Sequence, residues 1–441
     1  MAGQAAFAKT VPVINGGGAT AEEGAYAGPN SSGGQPLSEF STFNTGTTAV
    51  QFGTFWGSSS GTGQTAFLNN DLTCDINKVT GANGGNCSNT PGGADTVHYN
   101  VSESTLNTTQ VGVWSTSTWG QSAAGNLIQL PSIGTGLAIP VVDTNITKNG
   151  QLELTDNDLC EIFSGGYTDF SQITDSGTFK PAAGKITVAY RSDSGGTTGV
   201  LTEHLSKVCT VGTNSNITFT ATTTFATLFS GGIPPANFAG EKGNGGIANY
   251  LAGLSGTAVT QALSYVSQDW TSIPVAPDNQ LTNGARPELL VAAVFNGTKA
   301  YTPTIASLKL AFAHVSVTAN GVTNPPSTAA EGANPLNWVP VIQKVSSGYP
   351  LVGYGTLDFA QCYGTKPIQT GIVQYLKDHY KNASYKTIQT NNGIVAIANT
   401  PVAKFLTTVE DHIIANVSSG SSPAWNINIG NATACAGKVG R

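Results

Sequence analysis

The stretch KITVAYRSDSGGTTGVLTEHLSKV, residues 185–208, contains the pattern that decides the fold. Its first six residues, KITVAY, have the composition of a short β-strand. After a polar, glycine-containing connection, apolar residues recur at helical spacing at Val200, Leu201, Leu205 and Val208. The stretch therefore predicts a strand, a loop and a helix in succession.

The same alternation recurs along the chain. In residues 155–163, TDNDLCEIF, the Thr155 side chain with Asp158 three residues later predicts a capped helix. Residues 243–251 and 263–266 repeat the combination of helix and strand, and residues 369–381 predict an amphipathic helix. Alternating strands and helices indicate an α/β protein with parallel or mixed sheets.

The length of the chain predicts two domains, because 441 residues exceed the size at which one hydrophobic core keeps growing. Residues 127–142, LIQLPSIGTGLAIPVV, contain two strand-like segments. Between them lie Gly134, Thr135 and Gly136, which we interpret as a break at a crossover from one lobe to the other.

The charge of the chain excludes several classes of partner. Charged residues make up 10% of the sequence and the net charge is -6, with no cluster of lysine and arginine. Nucleic acids and anionic membranes are therefore not expected as partners. No stretch has the roughly 20 apolar residues of a membrane span, so membrane insertion is not expected either.

The six cysteines form an even set without a CxxC pair, which favours disulfides over a zinc or redox site. Three disulfides indicate an oxidising compartment, so we expect the protein to be secreted, periplasmic or at the cell surface. The simplest pairing is sequential, but it is one of about 15 that six cysteines allow. In sequential order the pairs are Cys74–Cys87, Cys160–Cys209 and Cys362–Cys435.

Residues 190–201, YRSDSGGTTGVL, have the composition of an oxyanion site. A helix N-terminus offers unpaired N–H groups, and Gly195 and Gly196 let the backbone approach a ligand closely. Arg191 adds a planar fork that matches two oxygens of phosphate. The alternative is a polar helix cap beside a surface arginine.

Two further glycine-rich segments give weaker signals. INGGGAT, residues 14–20, predicts a tight strand-to-helix turn that presents N–H groups and the Thr20 hydroxyl. GSSSGTG, residues 57–63, precedes a predicted helix start at Ala66 and also fits the GxSxG pattern of serine hydrolases. No histidine lies in a recognisable triad context, and we interpret His98 and His204 as structural residues.

Seven motifs follow one another along the chain: INGGGAT (14–20), AFLNND (66–71), PSIGTGLAIP (131–140), YRSDSGGTT (190–198), TTTFATLFSGG (222–232), SGYP (347–350) and IGNATAC (429–435). In this order they resemble the DING family, the secreted branch of the phosphate-binding proteins that serve ABC transporters. The resemblance implies a two-lobed fold of the periplasmic-binding-protein type II, with a ligand cleft between a discontinuous lobe 1 (residues 11–139 and 301–441) and a lobe 2 (residues 140–300). It also implies the disulfides Cys160–Cys209 and Cys362–Cys435, with Cys74–Cys87 as an addition.

The resemblance also implies a ligand set. From lobe 1 it implies the hydroxyl of Thr20, the N–H of Ala21 and the hydroxyl of Ser60, with Ser59 or Ser58 as the alternative. From lobe 2 it implies Arg191, Gly196 and Thr197.

At two positions the chain departs from the family. Glu103 stands where the family has an aspartate that accepts the proton of hydrogen phosphate, and Gly195 stands where the family has a serine. Ser194 could replace that serine's hydroxyl. The departures predict weaker binding, or a preference for another oxyanion or a phosphate ester. An ionised Glu103 is expected to exclude sulfate, which has no proton to donate.

The expected function is capture of inorganic phosphate or a similar oxyanion by lobe closure, without metal or organic cofactor. A transporter permease is a possible partner. The alternatives are a secreted phosphatase-like enzyme of the DING family, and a surface or matrix protein that keeps the fold with weakened binding.

Overall fold

A computed structural model describes most of the chain. The described residues are 11–28, 38–46, 49–80, 87, 95–174, 177–254, 261–273, 289–313, 318–319, 321–342, 345–397, 403–418 and 423–441. Within them the strands are β1 (Val13–Gly18), β2 (Gln51–Trp56), β3 (Tyr99–Ser102), β4 (Leu127–Ala138), β5 (Val141–Asp143), β6 (Glu153–Leu154), β7 (Thr187–Arg191), β8 (Phe238–Glu241), β9 (Gln261–Leu263), β10 (Val266–Ser267), β11 (Ala293–Phe295), β12 (Ala300–Tyr301), β13 (Thr318–Ala319), β14 (Val322–Thr323), β15 (Val352–Ala360) and β16 (Val395–Ala396).

Helices alternate with these strands through most of the chain. They are α1 (Glu23–Ala27), α2 (Glu39–Gly46), α3 (Ser60–Asn69), α4 (Thr73–Thr80), α5 (Thr108–Thr116), α6 (Gln121–Ala124), α7 (Asp156–Ser164), α8 (Gly196–Val208), α9 (Gly243–Gly253), α10 (Ile305–Phe312), α11 (Ala329–Gly332), α12 (Lys366–Lys381), α13 (Ala383–Asn391) and α14 (Ala403–Val409).

Two mixed sheets form the centres of the two lobes. In the larger sheet the strands follow the order β10, β4, β15, β3, β1, β2, and β16 also pairs with β4. In the smaller sheet the order is β5, β9, β7, β8, with β7 parallel to both of its neighbours. The α/β fold class is thereby confirmed. The lobe boundaries remain a prediction, and β10, inside predicted lobe 2, pairs with β4 of the larger sheet.

The helices predicted from local signals form where their capping and apolar patterns place them. Thr155 caps α7, and its side chain and that of Asp158 each accept a hydrogen bond from the other's backbone N–H. Helix α8 begins directly after the glycines of the strand–loop–helix stretch. Helix α12 buries Ile372, Leu376 and Tyr380 on one side.

The predicted break at Gly134, Thr135 and Gly136 is wrong, because β4 continues through them to Ala138. A side chain could not fit at either glycine. A Cβ atom at Gly134 would lie 2.4 Å from the Phe312 ring, and one at Gly136 would lie 2.6 Å from the Gln268 side chain. At both positions the lack of a side chain lets residues that are distant in the sequence pack closely against β4. The chain leaves the sheet after Ala138, at residues 139–140.

The glycines of INGGGAT also lie in a strand and not in the predicted turn. A Cβ atom at Gly16 would lie 2.3 Å from the carbonyl oxygen of Tyr99, and one at Gly17 would lie 2.2 Å from that of Trp56. Only glycine lets β1 lie this close to β2 and β3. The predicted start of a helix at Ala66 is likewise wrong, because α3 begins six residues earlier, at Ser60.

All three disulfides of the sequential pairing are present in the structure: Cys74–Cys87, Cys160–Cys209 and Cys362–Cys435. The pairing predicted from the sequence is confirmed. Among the described residues, none of the helices combines the length and the apolar character needed to cross a bilayer.

Candidate functional site

The candidate site lies where chain segments of the two sheets face each other. On the side of the larger sheet, α3 begins at Ser60, and Glu103 follows the end of β3. On the side of the smaller sheet, β7 ends at Arg191 and α8 begins at Gly196. The N-termini of α3 and α8 both contribute partial positive charge to this region. We refer to the predicted ligands Thr20, Ala21, Ser60 and Glu103 as the first wall, and to Arg191, Gly195, Gly196 and Thr197 as the second wall.

The two walls are in direct contact. A Cβ atom at Gly196 would lie 2.5 Å from the Ser60 hydroxyl oxygen and 2.4 Å from the Cβ of Glu103. The backbone N–H of Glu103 donates to the Ser60 hydroxyl over 3.2 Å. The structure thus brings together three residues that lie far apart in the sequence.

The guanidinium of Arg191 is buried and held by its own loop. Its Nε and Nη2 donate to the two carboxylate oxygens of Asp193 at 2.7 and 2.6 Å. Its Nη1 donates to the Thr197 hydroxyl at 2.9 Å. Asp193 also accepts from the backbone N–H of Gly243, the first residue of α9, at 3.0 Å. The bidentate Asp193 pair fixes both the position and the orientation of the arginine.

The structure gives a reason for glycine at position 195. A Cβ atom there would lie 2.7 Å from the Cζ of Arg191, so a serine would collide with the guanidinium in its present position. Ser194 does not point its hydroxyl at Arg191. Its Oγ shares a hydrogen bond of 2.8 Å with the Thr223 hydroxyl and lies against Gly61 of α3.

Glu103 is buried between acidic and basic neighbours. Burial, and then the charge of Asp269, raise the pKa of Glu103 to about 8, although Arg191 and the backbone N–H of Thr197 act in the opposite direction. A carboxyl group with this pKa is mainly protonated at neutral pH and can donate a hydrogen bond. The expectation of an ionised Glu103 therefore applies only above about pH 8.

Thr20 contacts helix α9 through Asn244, in the first turn of that helix. The Asn244 side-chain amide donates to the Thr20 hydroxyl at 3.5 Å and to the Ser267 hydroxyl at 3.3 Å. Ala21 follows Thr20 and is buried. Because Asp193 binds both Arg191 and the start of α9, the Thr20 contact belongs to the same connected region.

Sequence reasoning missed four polar residues of this region: Asp193, Asn244, Asp269 and Glu22. Asp193 carried a usable signal, since it stands two residues after Arg191 in the oxyanion stretch. Asn244 and Asp269 approach from distant segments, and nothing local marks them.

Glu22 is the least expected of the four. It is buried, and neither of its carboxylate oxygens has a hydrogen-bond partner among the described residues. Burial, and then the charges of Glu103 and Asp269, raise its pKa well above the usual range. Glu22 follows Ala21 in the chain, so a buried carboxyl group without a hydrogen-bond partner among the described residues lies next to the first wall.

Two arrangements in the structure resemble parts of a serine hydrolase. Ser59, the serine of the GxSxG pattern, caps α3 with φ of 115°, and its hydroxyl bonds to Thr62. Elsewhere, the Ser132 hydroxyl lies 2.8 Å from Nε2 of His379, whose Nδ1 lies 2.8 Å from Glu39. Ser132, His379 and Glu39 are each no more than 1% exposed, so this cluster has no access for a substrate.

The sequence of the chain matches the model of a known protein superfamily. The family model of the PBP superfamily domain matches residues 35–308. The class defined by the two-sheet fold and the site between the sheets is therefore the PBP superfamily.

Two individual relatives match nearly the whole chain. The chain is 30% identical over 448 residues to alkaline phosphatase L of Pseudomonas aeruginosa, with 98% of this chain and 95% of the relative covered. It is also 30% identical to a phosphate-binding protein of an unknown prokaryotic organism, with 96% of this chain and 99% of the relative covered.

Solved structures give the same result. The periplasmic phosphate-binding protein PfluDING, bound with phosphate, matches with a TM-score of 0.70 and 29% identity over 97% of this chain and 99% of its own. The ancestral soluble variant of the human phosphate-binding protein matches with a TM-score of 0.73 and 28% identity over the same shares. The chain belongs to the DING family of the PBP superfamily.

Proposed function

We propose that this protein binds inorganic phosphate between the first and second walls. The observation that carries the proposal is the buried Arg191, which donates to Thr197 in the first turn of α8, where Gly196 contacts Ser60 and Glu103 of the first wall. A dianion placed there meets a fixed cation, helix N-termini and neutral donors. The related PfluDING structure holds phosphate, which supports the same ligand for this chain.

Arg191 supplies the main positive charge in this proposal. Its bonds to Asp193 and Thr197 use three of the five guanidinium N–H groups. Two N–H groups remain, on Nη1 and Nη2, and two parallel N–H groups suit two oxygens of one phosphate. Asp193 orients the arginine and stays outside the ligand's coordination.

The remaining predicted ligands donate without adding charge. The backbone N–H groups of Ala21 and Gly196 and the hydroxyls of Thr20, Ser60 and Thr197 are assigned to phosphate oxygens. Glu103 shares one proton with the ligand, either donating its own or accepting that of hydrogen phosphate. Gly195 lets the guanidinium lie against the backbone.

Isothermal titration calorimetry with inorganic phosphate, after removal of bound anion, tests the proposal. We expect saturable binding, and we expect Ser60→Ala to weaken it about tenfold because one hydrogen bond to a charged ligand is lost. Ser122→Ala is the matched control, since Ser122 is exposed on α6. Absence of binding by the unaltered protein would overturn the proposal.

The disulfides also bear on the location of the protein. Three disulfides support a periplasmic or extracellular location. A transporter permease as partner stays a prediction.

The buried, paired Arg191 favours binding over a surface protein with weakened binding, and the likeness to the phosphate-bound PfluDING favours binding over ester hydrolysis. Ester hydrolysis is tested in the same preparation by release of phosphate from an aryl phosphate. A surface protein with lost binding would give no heat in the titration.

A further inference from the structure

A large cavity adjoins the proposed phosphate site. Its volume is about 720 Å³, and it lies between the two lobes. One side is formed by α8 from Gly199 to Val208, and the other by residues 336–342 and the start of β15. Glu103 lines the cavity and also contacts Gly196 at the start of α8, so the two spaces share a wall residue.

The cavity extends well beyond the dimensions of an inorganic anion. Helix α8 contributes Gly196 and Thr197 to the proposed phosphate site, and Gly199 and Lys207 to the cavity. At about 1.5 Å per residue, the cavity follows the helix for about 12 Å from Gly199 to Lys207. Its volume falls within the range of roughly 300–1,000 Å³ that is usual for sites of small organic ligands.

The lining of the cavity exposes more apolar than polar surface. Val200 of α8 faces an apolar segment of the other lobe that includes Val339, Val341 and Ile342. Val341 is 38% exposed, so apolar surface stays open to solvent here. Polar groups also line the cavity: Ser104 and Asn107 follow Glu103 in the chain, and Lys207 of α8 donates to the carbonyl of Ile342 at 2.6 Å.

We propose that this cavity holds the apolar organic substituent of a phosphate monoester whose phosphoryl group occupies the neighbouring site. The inference rests on the proposed function, because it needs an anion site at the inner end of the cavity. A protonated Glu103 suits the dianion of an ester, which has an alkoxy oxygen in place of the hydroxyl through which hydrogen phosphate could donate. No covalent step is involved.

Competition calorimetry with inorganic phosphate and n-alkyl phosphates tests the inference. We expect each ester to displace inorganic phosphate, and affinity to rise about threefold per methylene until the chain fills the cavity. Phenylphosphonate, whose carbon–phosphorus bond resists hydrolysis, should also bind, which separates binding from turnover. Failure of every ester to displace bound inorganic phosphate would overturn the inference and leave the proposed function standing.

A cavity-filling variant provides the second test. Ala221 is exposed and lines the cavity, so Ala221→Trp narrows it without touching either wall. We expect at least tenfold weaker binding of hexyl phosphate and unchanged binding of inorganic phosphate. Ala252→Trp, at an exposed position of α9 outside the cavity, is the matched control and should change neither.

Equal effects of Ala221→Trp on both ligands, or no effect on hexyl phosphate, would contradict the inference. Binding of esters without binding of inorganic phosphate would support the cavity and refute the proposed function. The two ideas can therefore fail separately.

Discussion

The positive charge of the second wall is paired with Asp193, whereas burial disfavours the ionised forms of Glu103 in the first wall and of Glu22 behind it. Arg191 makes three hydrogen bonds inside its own loop, two of them to Asp193. Behind the first wall, Glu22 is buried with no partner among the described residues for either carboxylate oxygen, and Glu103 has a pKa raised to about 8. The two walls therefore contribute different properties. The second wall supplies a fixed positive charge, and the first wall makes binding depend on pH through the protonation of Glu103.

Removing the charge of the second wall should have the largest effect. Arg191→Ala should weaken phosphate binding at least a hundredfold, because it removes the cation and leaves Asp193 buried without its partner. Calorimetry measures the loss, and thermal unfolding shows whether the fold is kept. Lys148→Ala, which removes an exposed cation of the same lobe, should leave affinity unchanged. A loss below tenfold in a folded Arg191→Ala variant would mean that the second wall does not supply the charge.

The proton sensitivity of the first wall should appear as pH-dependent selectivity. Below about pH 8, protonated Glu103 can donate to sulfate, and above it the ionised carboxylate repels an anion that has no proton to share. Sulfate affinity should therefore fall about tenfold per pH unit above that pKa, while hydrogen phosphate is retained. Glu103→Gln should remove this decline. A sulfate affinity that is equally flat with pH in both proteins would place Glu103 outside the site.

A variant at position 195, where the family has a serine, separates two explanations of the glycine: loss of a hydroxyl donor, or room for the Arg191 guanidinium. If the hydroxyl alone mattered, Gly195→Ser would tighten phosphate binding. The structure predicts the opposite, a loss of roughly three- to tenfold, because a Cβ atom there would lie 2.7 Å from the Cζ of Arg191 and displace the guanidinium from its pairing with Asp193. Titration of this variant beside Gly112→Ser, at an exposed glycine of α5 where an added Cβ atom would meet nothing within 4 Å, decides between the two explanations. Tighter binding by Gly195→Ser would show that Arg191 moves without cost.

The smallest expected effect concerns stability. The pKa of Glu22 is raised in the folded protein, so the folded state loses stability as the pH rises and this proton is released. Glu22→Gln keeps the shape and removes the charge, so it should raise the melting temperature by about 2–4 °C at pH 9 and have little effect at pH 5. Differential scanning calorimetry at both values provides the test. A lower melting temperature at pH 9 would show that the ionised carboxylate is stabilised by partners.

Local signals in the sequence predicted the elements that local interactions form. The strand–loop–helix of residues 185–208 and the Thr155 cap depend on neighbours within a few residues, and both are present. Disulfide pairing was predicted from the even count and the family resemblance. The strand–loop–helix stretch and the cap need no knowledge of distant contacts, whereas the pairs Cys160–Cys209 and Cys362–Cys435 span 49 and 73 residues and were also implied by the resemblance.

The errors have a common physical origin in long-range packing. From the local sequence, Gly16 and Gly134 were interpreted as turn residues. The reason for glycine at these positions is the close packing of Tyr99 and Phe312, which are distant in the sequence and leave no space for a side chain. Asn244 and Glu22 were missed for the same reason. The roles assigned to the predicted ligands remain to be tested by titration, whereas their placement on two facing walls is visible in the fold.

The buried contact of Ser132, His379 and Glu39 has a consequence for assigning enzymes from atomic positions. Its two distances of 2.8 Å match those between nucleophile, base and acid in a hydrolase, and a search by distance alone would retrieve it. Yet the Tyr26 hydroxyl also bonds to Ser132, and the cluster ties α2 and α12 to β4 inside the protein. An inhibitor that labels accessible serine nucleophiles should leave Ser132 unmodified, so activity-based profiling tests whether this serine is reactive, which a template match cannot do.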